Sequence, residues 1–243
     1  MTDTVLLCGA TGRMGKAIAS YLYEDQKELL LKAQYSKKIE EQLLNFLKEN
    51  ALVIDFSLPA LTQDLLEIMI EHKIQKPLVI GTTGLTSMHH EMIDVLSKTM
   101  PILQETNMSP GIHYLNHVIQ QAPEFFDDAY DIDLYDRHHR NKIDSPSGTL
   151  LTLMSTLEKS YGLTDAGYTP DHSKRPEKKI GISVERTGHV FGEHRVSFAS
   201  DAEEIQLIHR AFNRKLFAKG AVLALNWLKN KPAGRYSMAD VFK

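Results

Sequence analysis

Through the first hundred residues, short apolar runs alternate with longer segments whose apolar positions recur at helical spacing. Residues 5–8 read as a strand, and 12–23 as a helix with Met14, Ala17, Ile18 and Tyr21 on one stripe. Residues 29–35, 52–56, 78–80 and 102–103 read as further strands, with helices over 39–48, 61–72 and 88–98 between them. That order predicts βαβ units stacked on a parallel sheet. The pattern changes after Pro110. A helix over 112–122, a strand over 132–135 and a helix over 150–158 come first, then a charged, proline-broken loop at 174–179. Residues 180–186, 189–199 and 205–211 read as successive antiparallel strands, with Gly188 and Asp201 where turns are needed. A strongly apolar helix over 216–228, ended by Asn230-Lys231-Pro232, closes the chain. The pattern therefore predicts an α/β unit of nucleotide-binding type followed by a mixed α+β unit, and leaves open which of them owns the last helix.

Composition acts mainly by exclusion. A chain of 243 residues can form one large or two small domains with a proper core. Its net charge of -3, with Lys and Arg scattered among acidic residues, forms no basic stripe, which speaks against nucleic acid and for a small ligand. Cys8 is the only cysteine, so no internal disulfide can form. No apolar run approaches the roughly 18 residues of a membrane helix, and the start has no signal-peptide pattern. A soluble, cytoplasmic protein is the expectation.

Two glycine loops interrupt the α/β pattern at strand ends. The first, "GATGRMG" from Gly9 to Gly15, sits between the first strand and helix. There, glycines let the backbone turn and approach a pyrophosphate, whose charge a helix N-terminus favours. Its glycines, Gly9, Gly12 and Gly15, depart from G-x-G-x-x-G because Thr11 takes the middle position, so by itself the loop also fits a plain turn. Its place at the first βα junction favours the ligand, as does "GTTG" from Gly81 to Gly84 after the fourth strand. After the second strand comes "YSKK", with no carboxylate before Glu40. A basic residue there, such as Lys37, favours the 2′-phosphate of NADPH over the ribose hydroxyls of NADH. A solvated surface run is the other account of these lysines.

The densest chemistry lies in "DRHHRNKIDSPSGT", from Asp136 to Thr149. Adjacent His138 and His139 would point to opposite faces of a strand and chelate one ion poorly. His113 and His117, at i and i+4, fall on the polar face of a helix whose Ile112, Leu115 and Ile119 form the apolar stripe. Without HExxH, a cysteine partner or a nearby acidic third ligand, the chain argues against a metal. "SPSGT" lacks a nucleophile elbow, so Ser147 reads as a helix N-cap. The helix start at Gly148 and Thr149 suits a carboxylate or phosphate. If strand parity persists, His138, Arg140, Lys142 and Asp144 share one side, beside that helix end. Such a group suits general acid catalysis on a small anion. A charged surface strand meeting a capped helix fits equally well.

"HHRNKIDSPSGT" also resembles the signature of the dihydrodipicolinate reductase (4-hydroxy-tetrahydrodipicolinate reductase) family of diaminopimelate and lysine biosynthesis. The similarity continues in "GATGRMG", "DFSLP" from Asp55 to Pro59, "GTTG", "NMSPG" from Asn107 to Gly111, "GEHRVSF" from Gly192 to Phe198 and "RKLFAKGA" from Arg214 to Ala221. It implies a Rossmann-like domain formed by 1–108 with about 215–243, including the returning C-terminal helix. Residues 109–214 would form a mixed-sheet domain that binds substrate and builds a homotetramer. It also implies NADPH or NADH bound by Gly9, Ala10, Thr11, Gly12, Arg13, Met14, Gly81, Thr82, Thr83, Glu105, Thr106, Asn107 and Met108. A cyclic dicarboxylate would be held by His139, Gly148 and Thr149, with His138 and Lys142 as proton donors during hydride transfer. The chain departs from common members at Ser36 and Lys37, where an acidic-basic pair is frequent, and at Thr106 and Leu150, where alanine is usual. Two other functions remain open: a non-enzymatic NAD(P)H sensor, and a two-domain amino-acid dehydrogenase with another substrate.

Overall fold

The computed structural model describes residues 3–25, 29–35, 40–169 and 173–243. In chain order the first elements are β1 (Asp3–Cys8), α1 (Arg13–Asp25), β2 (Leu29–Tyr35), α2 (Glu40–Glu49), β3 (Leu52–Asp55), α3 (Pro59–Glu71), β4 (Leu78–Ile80), α4 (Ser87–Ser97), β5 (Pro101–Gln104) and α5 (Pro110–Ile119). After a 3-10 turn at Ala122–Glu124 come β6 (Asp131–His138), α6 (Gly148–Tyr161), β7 (Gly167–Tyr168), β8 (Ile180–Arg186), β9 (Gly192–Ala199) and β10 (Glu204–Ala211). The chain ends with α7 (Lys215–Leu228), β11 (Gly234–Tyr236) and α8 (Met238–Val241). Two compact units result, one of Met1–Ser109 with Arg214–Lys243 and one of Pro110–Asn213.

The first unit is a six-stranded sheet in the order β11-β5-β4-β3-β1-β2, parallel throughout. Its central strands are apolar at nearly every position because both faces are covered. Strand alternation divides the side chains. Val5, Leu7, Leu52, Ile54 and Val79 join Ile18 and Leu22 of α1 and the small-residue face of α7. Leu6, Cys8, Val53, Leu78 and Ile80 join α2, α3 and α4 on the other side. Burying each of these Leu, Ile and Val side chains stabilises the unit by roughly 1.5–3 kcal/mol. A Cβ at Gly220 would collide with the Met108 carbonyl, so only glycine lets α7 approach the segment after β5 this closely. The sequence pattern did not predict β11 or α8. Three residues at 234–236 are too few to show a period, and their pairing with β5 is a tertiary fact.

In the second unit the sheet order is β10-β9-β6-β8-β7. β6 runs parallel to β8 and antiparallel to β9. Residues 180–186 and 192–199 are therefore not neighbours, which corrects the expected run of successive antiparallel strands. β6 takes the slot between them, and its apolar row is what both partners pack around. The loop at Gly188 serves β6 instead of a hairpin: Thr187 N donates to the His138 carbonyl at 2.8 Å and Arg140 N to the Gly188 carbonyl at 3.2 Å. Only β9 and β10 form the expected antiparallel pair. α5 and α6 cover one face, where Ile132, Leu134, Ile180, Val196 and Phe198 meet Ile112, Leu115, Leu150 and Leu153. α5 stops at Ile119, short of the predicted Ala122; Pro123 cannot continue an α-helix and closes a 3-10 turn.

Candidate functional site

In the first unit, the parallel register aligns the C-terminal ends of Cys8, Asp55, Ile80 and Gln104. The loops after them carry residues 9–14, 55–59, 81–84 and 105–108, so the predicted cofactor positions lie along one edge of one sheet. Gly9 has φ +81, and a Cβ there would run into the Phe56 backbone; a Cβ at Gly15 would strike the Gly9 carbonyl. The loop is thus pressed between β3 and the start of α1, with residues 11–13 exposed at the helix N-terminus. A Cβ at Gly81 would enter the Phe56 ring. Backbone this close to a strand end, with open helix N–H groups, fits the pyrophosphate of a dinucleotide.

Two predicted cofactor residues turn inward. Thr82 is 3% exposed, and its side chain donates to Asp55 Oδ2 at 2.9 Å and accepts the Ser57 N–H at 2.9 Å, which ties this loop to the end of β3. Met108 is buried in the core. Thr83, Glu105, Thr106 and Asn107 are at least partly open. Asn107 Oδ1 accepts from Ser109 N at 2.9 Å and so shapes the turn. Burial, and then the charge of Arg13, push the Arg214 guanidinium down from its ordinary value. Lys37 and Ser36 lie outside the described residues.

In the second unit, β6 alternates strictly. Ile132, Leu134, Asp136 and His138 are buried on the helix-covered face, while Asp133, Tyr135 and Arg137 lie on the other. The inner row is apolar at its start and polar at its end. Across the antiparallel pairing, Asp136 faces His194, which in turn faces His209 of β10. Asp136 has no exposed surface. Its Oδ1 lies 2.8 Å from His138 Nδ1 and 3.4 Å from His194 Nε2. Its Oδ2 accepts the Ser147 N–H at 3.0 Å and the Arg186 guanidinium at 3.2 Å. Burial opposes this charge, but the His138 and His194 rings and the Ser147 N–H outweigh it and hold the carboxyl well below its usual range. Burial pushes His194 the other way, down from its ordinary value against the pull of Asp136, and favours its neutral ring.

Ser147 is the N-cap of α6, its Oγ accepting from Leu150 N at 3.2 Å. Gly148 is exposed with open space around it, and Thr149 is half-buried beside it. By helix geometry the first N–H groups of α6 point out of its start. Strand parity does not persist past His138. β6 ends there and the chain turns, Lys142 N donating to the His139 carbonyl at 3.1 Å, so Arg140, Lys142 and Asp144 do not continue the row. The turn places the Lys142 ammonium on both oxygens of Asp144, at 2.7 and 2.8 Å, near enough to His194 to act on its ionisation. His139 is half-buried just beyond the strand end.

The motifs assign no role to Asp136 or His194, although the parity of β6 and of "GEHRVSF" places both on the inner face. Gly192 likewise matters through space: a Cβ there would lie 3.1 Å from His138 Nε2. Asp136, His138 and His194 offer three ligating atoms within 4.8 Å of one another, a grouping the histidine spacings did not reveal. The Arg186 cation on the same carboxylate makes it a poorer metal site than its geometry alone suggests.

Models of the dihydrodipicolinate reductase N-terminus and C-terminus match residues 4–108 and 111–242. The chain belongs to the dihydrodipicolinate reductase family. It is 38% identical over 238 residues to 4-hydroxy-tetrahydrodipicolinate reductase of Rickettsia rickettsii, covering 98% of each chain. To the reductase of the same description from Wolinella succinogenes it is 37% identical over 247 residues, covering 96% of each. Among solved structures it is similar to a dipicolinate-bound dihydrodipicolinate reductase from Paenisporosarcina sp. TG-14, with TM-score 0.76 at 17% identity over 98% of each chain. A scyllo-inositol dehydrogenase from Lactobacillus casei with bound NAD(H) superposes with TM-score 0.60 at 11% identity, over 99% of this chain and 93% of that one. At such identities these two show a shared fold. The family resemblance carried by the motifs thus extends over the whole chain.

Proposed function

We propose that this chain catalyses the NAD(P)H-dependent reduction of 4-hydroxy-tetrahydrodipicolinate to tetrahydrodipicolinate, the step its family performs in diaminopimelate and lysine biosynthesis. The observation that carries the proposal is the polar end of the β6 row. There Asp136 holds the His138 ring with one oxygen and the Ser147 N–H with the other, just before the helix start at Gly148 and Thr149, which suits a substrate carboxylate. His139, at the strand end, would contact the same substrate. The bound nicotinamide supplies a hydride, and the net change takes up one proton and releases one water. His138 and Lys142 serve as the proton donors. Asp144 holds the Lys142 ammonium with both oxygens, which fixes where that donor sits. In the first unit, Gly9 to Met14 and Gly81 to Thr83 hold the pyrophosphate and its flanks, with Glu105 to Met108 alongside.

We read the cofactor as NADPH, on the absence of a carboxylate between β2 and Glu40 and on the basic Lys37. A homotetramer and a cytoplasmic location go with the same family role. Among the described residues no helix is long and apolar enough to cross a membrane.

The test is oxidation of NADPH and of NADH by the purified protein with the condensation product of pyruvate and aspartate semialdehyde. Pyridine-2,6-dicarboxylate, a planar mimic, should compete. In Lys142→Ala, kcat should fall by about 100-fold or more, the scale of general acid catalysis, with little change in nucleotide binding. No turnover with either nucleotide would refute the proposal. Turnover of another amino acid without competition by the mimic would favour a different two-domain dehydrogenase, and nucleotide binding without any turnover would favour a sensor.

A further inference from the structure

A carboxylate can only accept hydrogen bonds, and the Arg186 cation and the Ser147 N–H on Oδ2 hold the solvent-excluded Asp136 in that form. At 2.8 Å from Oδ1, His138 Nδ1 is the ring nitrogen on which a proton is favoured, since a lone pair there would face the carboxylate. The other nitrogen, Nε2, is left as the atom whose protonation can change. It points past Gly192, where the missing Cβ leaves room. The second oxygen of the same carboxylate takes the Ser147 N–H, one residue before the helix start that would bind the substrate anion. Arg186 of β8 braces this oxygen from the neighbouring strand, and His194 of β9 closes on the first from the other side. One buried group thus fixes both the rotation of the donor ring and its distance from the anion-binding turn.

We propose that Asp136 is a positioning residue for the reaction. Oδ1 sets the Nδ1–H tautomer of His138, so that proton exchange occurs at Nε2. Oδ2 locks the ring's strand to the first turn of α6. Arg186 and His194 act through Asp136, holding its two oxygens in register with these tasks. This rests on the function proposed above.

The test uses imidazole nitrogen NMR of the full chain together with kinetics. In the wild-type protein, neutral His138 should carry its proton on Nδ1. In Asp136→Asn the amide NH2 faces that nitrogen and demands the opposite tautomer, so the proton should move to Nε2. The same variant should lose about 100-fold in kcat, with the KM for NADPH unchanged. Introduced into a His138→Gln background, it should cost little more. A neutral wild-type His138 protonated on Nε2 overturns the proposal without recourse to any variant. So does a folded Asp136→Asn protein with kcat within a few-fold of wild type, or a double variant whose loss is the product of the two single losses. If the wild-type protein turns over no substrate, the proposed function fails, and the tautomer measurement still decides the role of Asp136.

Discussion

Asp55→Asn asks whether a buried charge or its hydrogen bonds dominate at the end of β3. Asp55 is fully buried, and its carboxylate accepts from Ser57 Oγ at 2.5 Å, Thr62 Oγ1 at 2.5 Å and Thr82 Oγ1 at 2.9 Å. A bond to a charged acceptor contributes about 1.5–3 kcal/mol and a neutral one about 0.5–1.5, so neutralising three of them costs about 3 kcal/mol. Against this stands the desolvation of the charge, several kcal/mol. The structure shows which effect is larger: burial raises the carboxyl above its ordinary 3.8 despite all three hydroxyls. A folded carboxyl that holds its proton more tightly than the unfolded one loses stability as pH rises from about 4 through its folded value, and that loss persists at higher pH. An amide of the same shape carries no charge and has no such loss.

Asp55→Asn should therefore lie within about 1 kcal/mol of the parent at pH 7, and compare less favourably with it at pH 4. Asp55→Ala instead removes the common acceptor of three hydroxyls and opens a void, and should cost about 3 kcal/mol or more at both values. Urea unfolding followed by Trp227, the single tryptophan and part of the same unit, measures both variants. An Asn variant that loses as much as Ala at pH 7, or whose deficit is unchanged between pH 4 and pH 7, would show that desolvation of the charge is not the larger effect. Because Thr82 is tied to Asp55, nucleotide affinity should fall in the Ala variant and hold in the Asn variant.

Ser147→Ala should lower stability by about 1 kcal/mol through loss of the α6 cap. In a unit of roughly 100 residues that shifts a thermal midpoint by about 4–8 °C, and a melt with no shift would refute the capping role. Acid should weaken the second unit through His209. Burial, and then the charge of His194, push it down to about 4 in the fold, while the unfolded ring takes a proton near 6.5. Its contribution is therefore complete above about pH 6.5 and is lost as pH falls towards 4. The full shift corresponds to about 3 kcal/mol, reduced to about 1–2 by solvent at this half-open position. Urea midpoints across that window should rise with pH in the parent and flatten in His209→Gln.

The first unit was legible because its period and its boundaries coincide. "LLCGATGRMG" changes from strand to turn to helix within ten residues, and each change is dictated by residue type: apolar run, glycines, then Met14, Ala17 and Ile18 at helical spacing. The second unit was legible in its elements but not in its order. Strands of residues 180–186, 192–199 and 204–211 follow one another in sequence, and nothing local reveals that β6, some forty residues earlier, comes between the first two. Pairing partners are chosen by which rows can share a core, and that choice is made across the sheet, between Ile132, Leu134, Val196 and Phe198.

The same distinction separates the seen from the unseen parts of the candidate site. His138, Lys142, Gly148 and Thr149 stand within one stretch, where an unusual density of chemistry draws attention to itself. Asp136 opens that stretch and His194 lies 58 residues after Asp136, yet the two come together because both occupy inner positions of paired strands. Their identity as polar residues in an otherwise apolar row was readable from parity. Their meeting was not, since it depends on a register that only the folded sheet supplies. A buried carboxylate facing two imidazoles and an arginine is costly unless every partner is present. Removing any one of them should therefore disturb the others, and the donor ring they surround, before it disturbs the apolar core on which they rest.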